Sequence, residues 1–171
     1  HMASDAIARD TPPPMRMSSR IGARLGTPAV EQEGDLLYVN RAGTQVLIAA
    51  YSEMTQGYKP GPISLLSTHL LTGVSDLVVA KAGAATDADR LWIVNADGGV
   101  ACGHLLRDQD VTGFTPWATP DPVRAVAVDA SGVVWLAAAR GGAMRLETLE
   151  EGLWLDSAVT VSRAASTRVA G

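Results

Sequence analysis

Apolar residues recur along most of this chain at a spacing of two, in short runs broken by Gly, Pro, Asn and Asp. That period belongs to β-strands, whose side chains alternate between two faces. Runs at residues 36–40 and 45–52 flank Arg41-Ala42-Gly43-Thr44, a hairpin signal. Further runs fall at 74–81, 90–95, 100–107, 113–118, 123–129, 133–139 and 143–149, with a last candidate at 153–161. One segment departs from the rule. Ile63, Leu66 and Leu70 recur at three- and four-residue spacing after Pro60-Gly61-Pro62, and Gly73 closes the run. This predicts a short helix of about nine residues set between strands. Leu77-Val78-Val79-Ala80 and residues 123–128 are apolar on both faces, the pattern of strands covered on both sides.

An internal repeat organises these strands. Arg90-Leu91-Trp92-Ile93-Val94 leads to Gly98-Gly99, and Val133-Val134-Trp135-Leu136-Ala137 leads to Gly141-Gly142. Trp92 to Trp135 and Gly98 to Gly141 share one offset, which lies inside the ~40–45-residue period of a β-propeller blade. Leu36-Leu37-Tyr38-Val39-Asn40-Arg41-Ala42-Gly43 is a weaker copy, with Tyr38 in the tryptophan slot and a shorter turn. The expected fold is all-β with one short helix: a partial or open β-propeller-like stack of about three four-stranded antiparallel units. A closed propeller needs about four to eight blades, so three cannot close a ring alone.

The flanks read differently. Residues 1–34 have no sustained period, and Pro12-Pro13-Pro14 favours extended backbone, which suggests an arm or linker. His1-Met2 looks like a tag remnant, residues 35–161 hold the blades, and 162–171 would lead to a missing downstream region. The chain would then be a piece of a longer protein.

Composition narrows the partners. Of 171 residues, 47% are hydrophobic and 19% charged, which suits a globular chain. No apolar run approaches the roughly 18–20 residues of a spanning helix. A net charge of −4 is the wrong sign for a sequence-independent grip on DNA or on an anionic membrane surface. Cys102 is the single cysteine, so no internal disulfide can form.

Chemistry-bearing patterns are sparse. The histidines, His1, His69 and His104, form no zinc-ligand spacing. Asp87-x-Asp89 and Asp108-x-Asp110 lack the glycine and terminal glutamate of a calcium loop and read as turns. Ser67, His69 and Asp76 make a triad only on paper, without a nucleophile elbow. A glycoside hydrolase would need two carboxylates about 5–10 Å apart, and Asp89, Asp97 and Glu147 are the candidates. Trp92 and Trp135 occupy the repeat and read as core. Trp117 and Trp154 remain available for an interface or for stacking on sugar. No catalytic residue, metal or cofactor is called for; a recognition module for carbohydrate or protein is the alternative class.

One resemblance extends over residues 19–160. Ser19-Arg20-x-Gly22, Leu37-Tyr38-Val39-Asn40-Arg41-x-Gly43, Tyr51, Gly57-Tyr58 and Ile63-Ser64-Leu65-Leu66-Ser67-Thr68-His69-Leu70 come first. Leu91-Trp92-Ile93-Val94, Asp97-Gly98, Arg107-x-Gln109-x-Val111, Trp117, Val126-x-Val128, Val134-Trp135-Leu136, Arg145-x-Glu147 and Leu155-Asp156-Ser157-Ala158 follow. In this order they resemble bacteriophage tail proteins of the tail-tubular or nozzle type. The resemblance implies a propeller-like β domain in a virion tail, assembled with other tail proteins and as a homo-oligomeric ring around the DNA channel. DNA would pass through without tight binding, and no membrane contact or catalytic residue is implied. Members of that family are longer than this chain and more aromatic over residues 106–118.

Overall fold

The period-two runs pair in sequence order, as short connections favour. The computed structural model describes residues 19–54, 57–83, 87–106 and 109–149. Strands β1 (Val30–Gln32), β2 (Asp35–Val39), β3 (Val46–Ser52) and β4 (Gly57–Pro62) form the first antiparallel sheet. Strands β5 (Asp76–Ala80), β6 (Asp89–Val94), β7 (Val100–Leu106) and β8 (Val111–Trp117) form the second. The third holds β9 (Val123–Val128), β10 (Val134–Arg140) and β11 (Ala143–Thr148), with β10 in the middle. The all-β, three-unit stack expected from the repeat is what forms. The run at 153–161 lies outside the described residues.

The second sheet is sandwiched between the other two, and β6 shows why. Its alternate residues Leu91 and Ile93 join Leu37, Val39, Val46, Leu71, Val74 and Leu77 in one core. Trp92 and Val94 point the other way, into a second core with Val123, Val126, Val134, Leu136 and Ala138. A strand apolar at every position is stable only where both faces are covered. Each fully buried Leu or Ile contributes about 1.5–3 kcal/mol relative to exposure. The first strands lie side by side, β1 against β5 and β5 against β9, so the sheets succeed one another like blades.

Four expectations need correction. Tract 123–128 is covered on one face only: Val123 and Val126 are buried, while Arg124, Ala125 and Ala127 are exposed. The segment read as an arm through residue 34 contains β1, which pairs Val30 with Leu37. Ala23 also bridges to Asn40. Three residues are too short to display a period, so this strand left no pattern in the sequence.

Pro60-Gly61-Pro62 starts no helix but lies in β4, opposite Ala49, Ile48 and Leu47. Proline lacks the donor for a central ladder, and β4 is an edge strand, where that matters least. The helical turn is a 3-10 segment, Leu65–Leu70, shorter than expected. It follows fully buried Ser64, whose Oγ accepts the Val46 N–H at 2.9 Å.

Candidate functional site: the blade junctions and their open counterparts

Two turns repeat one design. Asn40 and Asn95 each end the second strand of a sheet, and their carbonyls accept the N–H of Gly43 and Gly98 at 2.9 Å. Both glycines adopt positive φ, 77° and 94°, which an L side chain resists. Each then presents its carbonyl to the next sheet. Gly43 O accepts the Val74 N–H at 2.9 Å, and Gly98 O accepts the Val123 N–H at 3.0 Å. Asn95, nearly buried, also donates to Leu70 O at 2.9 Å and accepts the Thr72 N–H at 3.0 Å.

These bonds fix which residues are equivalent. Arg24 N–H donates to Val39 O, as Ser75 N–H donates to Val94 O. Val39 therefore corresponds to Val94, and Leu37, not Tyr38, stands in the Trp92 slot. Tyr38 faces the opposite side of the first sheet, opposite Leu47. A one-residue slip reverses the face of every side chain in a strand. The first loop is also one residue longer than the second rather than shorter, running from Asn40 to Gln45 against Asn95 to Gly99. Between the second and third copies the aromatics correspond: Asp76 pairs Val94 and Ala125 pairs Ala137, which places Trp135 at the Trp92 position. The glycines do not, since Gly98 lies in a loop of residues 95–99 and Gly141 in the two-residue turn after Arg140.

Polar staples reinforce both junctions. At the first, buried Gln32 donates from Nε2 to Asp89 Oδ2 at 3.3 Å. Asp89 Oδ1 accepts the Ala82 N–H at 2.8 Å. Lys81 Nζ lies between Glu31 at 3.6 Å and Asp89 at 3.7 Å. At the second, Asp76 Oδ2 accepts the Val126 N–H at 3.0 Å, while Oδ1 accepts the Leu77 N–H at 2.9 Å. Both oxygens of the paper triad's acid thus serve the backbone.

Asp97 is used similarly, accepting from Gly99 N–H at 2.9 Å and Thr72 Oγ1 at 3.2 Å. Glu147 forms a two-pronged pair with Arg140, at 2.8 and 3.0 Å. The carboxylates that a hydrolase would need are committed to architecture. Among the described residues, no group of His, Cys, Asp and Glu is arranged to hold a metal ion. Asp108 lies outside the described residues.

The tryptophans divide by environment. Trp92 is 6% exposed and meets half-buried Trp117 edge-on, with centroids 5.5 Å apart. Trp117, expected at an interface or on sugar, packs against the edge of the second core and stays half-buried. Trp135 occupies the repeated slot on the open face of the third sheet. Its Nε1 donates to Asp129 Oδ2 at 2.9 Å. Gly141 and Gly142, both at positive φ, form the tight β10–β11 turn. Trp154 lies outside the described residues. Cys102 is buried, and burial pushes its thiol up despite the opposing charge of Arg90. That suits an inert core thiol. Burial also raises the Tyr38 hydroxyl.

Asp129 supplies a pH prediction. The Trp135 indole hydrogen bond, followed by the Val133 N–H, holds its carboxyl below the usual aspartate value, against a smaller opposing effect of desolvation. A lowered folded pKa means the stabilisation is present above the ordinary aspartate value and lost as pH falls through the lowered one. The indole Nε1–H resonance of Trp135 should therefore titrate below about pH 3.9. In Asp129→Ala that titration should vanish. A Trp135 signal unchanged between about pH 6 and pH 2 would show that the contact is not made in solution.

No protein-family model matches this chain, and no curated protein matches it in sequence. The geometry of the junctions therefore carries the functional argument.

Proposed function

We propose that this chain is a non-enzymatic structural component of a phage tail, part of the tube or nozzle through which DNA is ejected. It acts by protein–protein contacts with other tail proteins, in a homo-oligomeric ring located in the virion. The observation that carries this reading is a row of sheets joined by one repeated junction, whose end faces keep exposed apolar side chains among the described residues. Such a row is a building unit. The ordered resemblance to nozzle-type proteins over residues 19–160 favours a tail as the assembly.

Two further features support it. Asp76 and Asp89 tie one sheet to the next, and Asp97 and Glu147 are paired within their own sheets, which are structural uses of the candidate carboxylates. The net charge of −4 suits a duct wall, since a surface that passes DNA must not hold its phosphates. Mass spectrometry of purified phage particles, with inspection of the neighbouring genes, tests the reading. Portal, capsid or tail genes alongside, and the chain within tail particles, are the expected result. Metabolic neighbours and absence from particles would overturn it.

A further inference from the structure

The third sheet ends the row with a junction face that nothing among the described residues covers. On β10, Trp135 and Ala137 occupy the positions that Trp92 and Val94 hold on β6. There the next sheet covers them; here Leu146, opposite Ala137, is 69% exposed. Met144, opposite Ala139, is 57% exposed. Ala125 and Ala127 complete a bed of small side chains around Trp135.

The first sheet has the reciprocal face at the other end of the row. Leu36, Tyr38, Leu47, Tyr51 and Tyr58 share it by register, Leu47 being already covered within the chain at 1% exposure. Leu36 is 45%, Tyr51 44% and Tyr58 54% exposed. Both faces are apolar, the first rich in tyrosine and the third carrying Trp135, Leu146 and Met144 among alanines, so one can pack on the other. Contiguous apolar surfaces of this kind mark interaction sites.

We propose that two copies of this chain close a six-bladed ring, the third sheet of each packing on the first sheet of the other. Blade number selects the second copy as occupant. One copy supplies three blades, two supply six and three supply nine, and rings close with about four to eight. Two head-to-tail contacts then satisfy all four open faces, and the rotation closes rather than growing a filament. Ala23 stands before Arg24 as Val74 stands before Ser75, so its N–H is the counterpart of the donors to Gly43 and Gly98 and is the backbone group the other copy would meet. This closure follows from the sheets alone and holds whether or not the tail assignment does.

Light scattering and native mass spectrometry of the purified full chain test it. A particle of twice the 17.8 kDa chain mass is expected at micromolar concentration. Leu146→Asp alters one face and Tyr58→Asp the other. Each places a carboxylate in both contacts of its own dimer and should weaken it about a hundredfold or more. Circular dichroism confirms that each variant is folded, and Leu146→Gln and Tyr58→Gln replace either one that is not. Mixing the two variants should recover dimer, because a mixed pair contains one contact with both native faces. A wild-type monomer, an open-ended series of larger species, or no recovery on mixing would each overturn the proposal. So would a Tyr58→Asp dimer as tight as wild type, which indicates third sheets packed back to back.

Discussion

Trp92→Ala should lower the unfolding free energy by about 3–5 kcal/mol, the range for deleting a buried aromatic side chain. The indole lies between the second and third sheets, 6% exposed, and Trp117 packs on it edge-on. Truncation removes its contacts with the second core and leaves Trp117 without its neighbour. The buried Nε1 has no hydrogen-bond partner among the described residues. An unpaired buried donor costs about 1–3 kcal/mol, so Trp92→Phe loses volume while relieving that penalty. Phenylalanine should therefore cost much less, no more than about 2 kcal/mol. Trp135→Ala, in the same slot on the open face, is the comparison in the separated monomer. Urea unfolding of the three variants measures the difference. Equal losses for Trp92→Ala and Trp135→Ala would mean that the third sheet does not cover Trp92 in solution.

The paired tryptophans also show what the sequence made legible. Trp92 and Trp135 occupy one ladder position, and one offset aligns them. The glycines share that offset in sequence only, because β6 ends at Val94 before a longer loop while β10 runs on to Arg140 and a two-residue turn. The first sheet defeated the same method. β4 and the 3-10 segment, both missed or shortened by the sequence pattern, separate its turn from the next one by additional residues. Aligning on an aromatic chose Tyr38, one position beyond Leu37, and so exchanged the two faces of the sheet. Asn40-x-x-Gly43 and Asn95-x-x-Gly98 were the better anchors, because turn geometry fixes register while an aromatic can lie on either face. The staples were invisible for another reason. Gln32 and Asp89, or Asp76 and Val126, are remote in sequence, and only the stacking of sheets brings them together.

That stacking depends most sharply on a glycine, and Gly98→Ala should cost about 3 kcal/mol or more. Three effects act at one residue. Its φ of 94° is unfavourable for any L side chain, by about 1–3 kcal/mol. A Cβ there would collide with the Pro122 ring and lie 2.8 Å from Pro122 Cα. Because the obstacle is the backbone that opens β9, a rotamer change cannot relieve it. Separating the two would stretch the Val123 N–H bond to Gly98 O, worth about 0.5–1.5 kcal/mol, and loosen the second core behind it. Gly141→Ala is the control, since φ is 57° and no atom lies within 4 Å of the added methyl. It should cost only the conformational part, about 1 kcal/mol. The difference between the two alanines, read from urea unfolding, measures how closely the second and third sheets approach. Equal losses would mean that the glycine serves its turn alone. A larger loss at Gly98 would make it the contact that sets the spacing between blades.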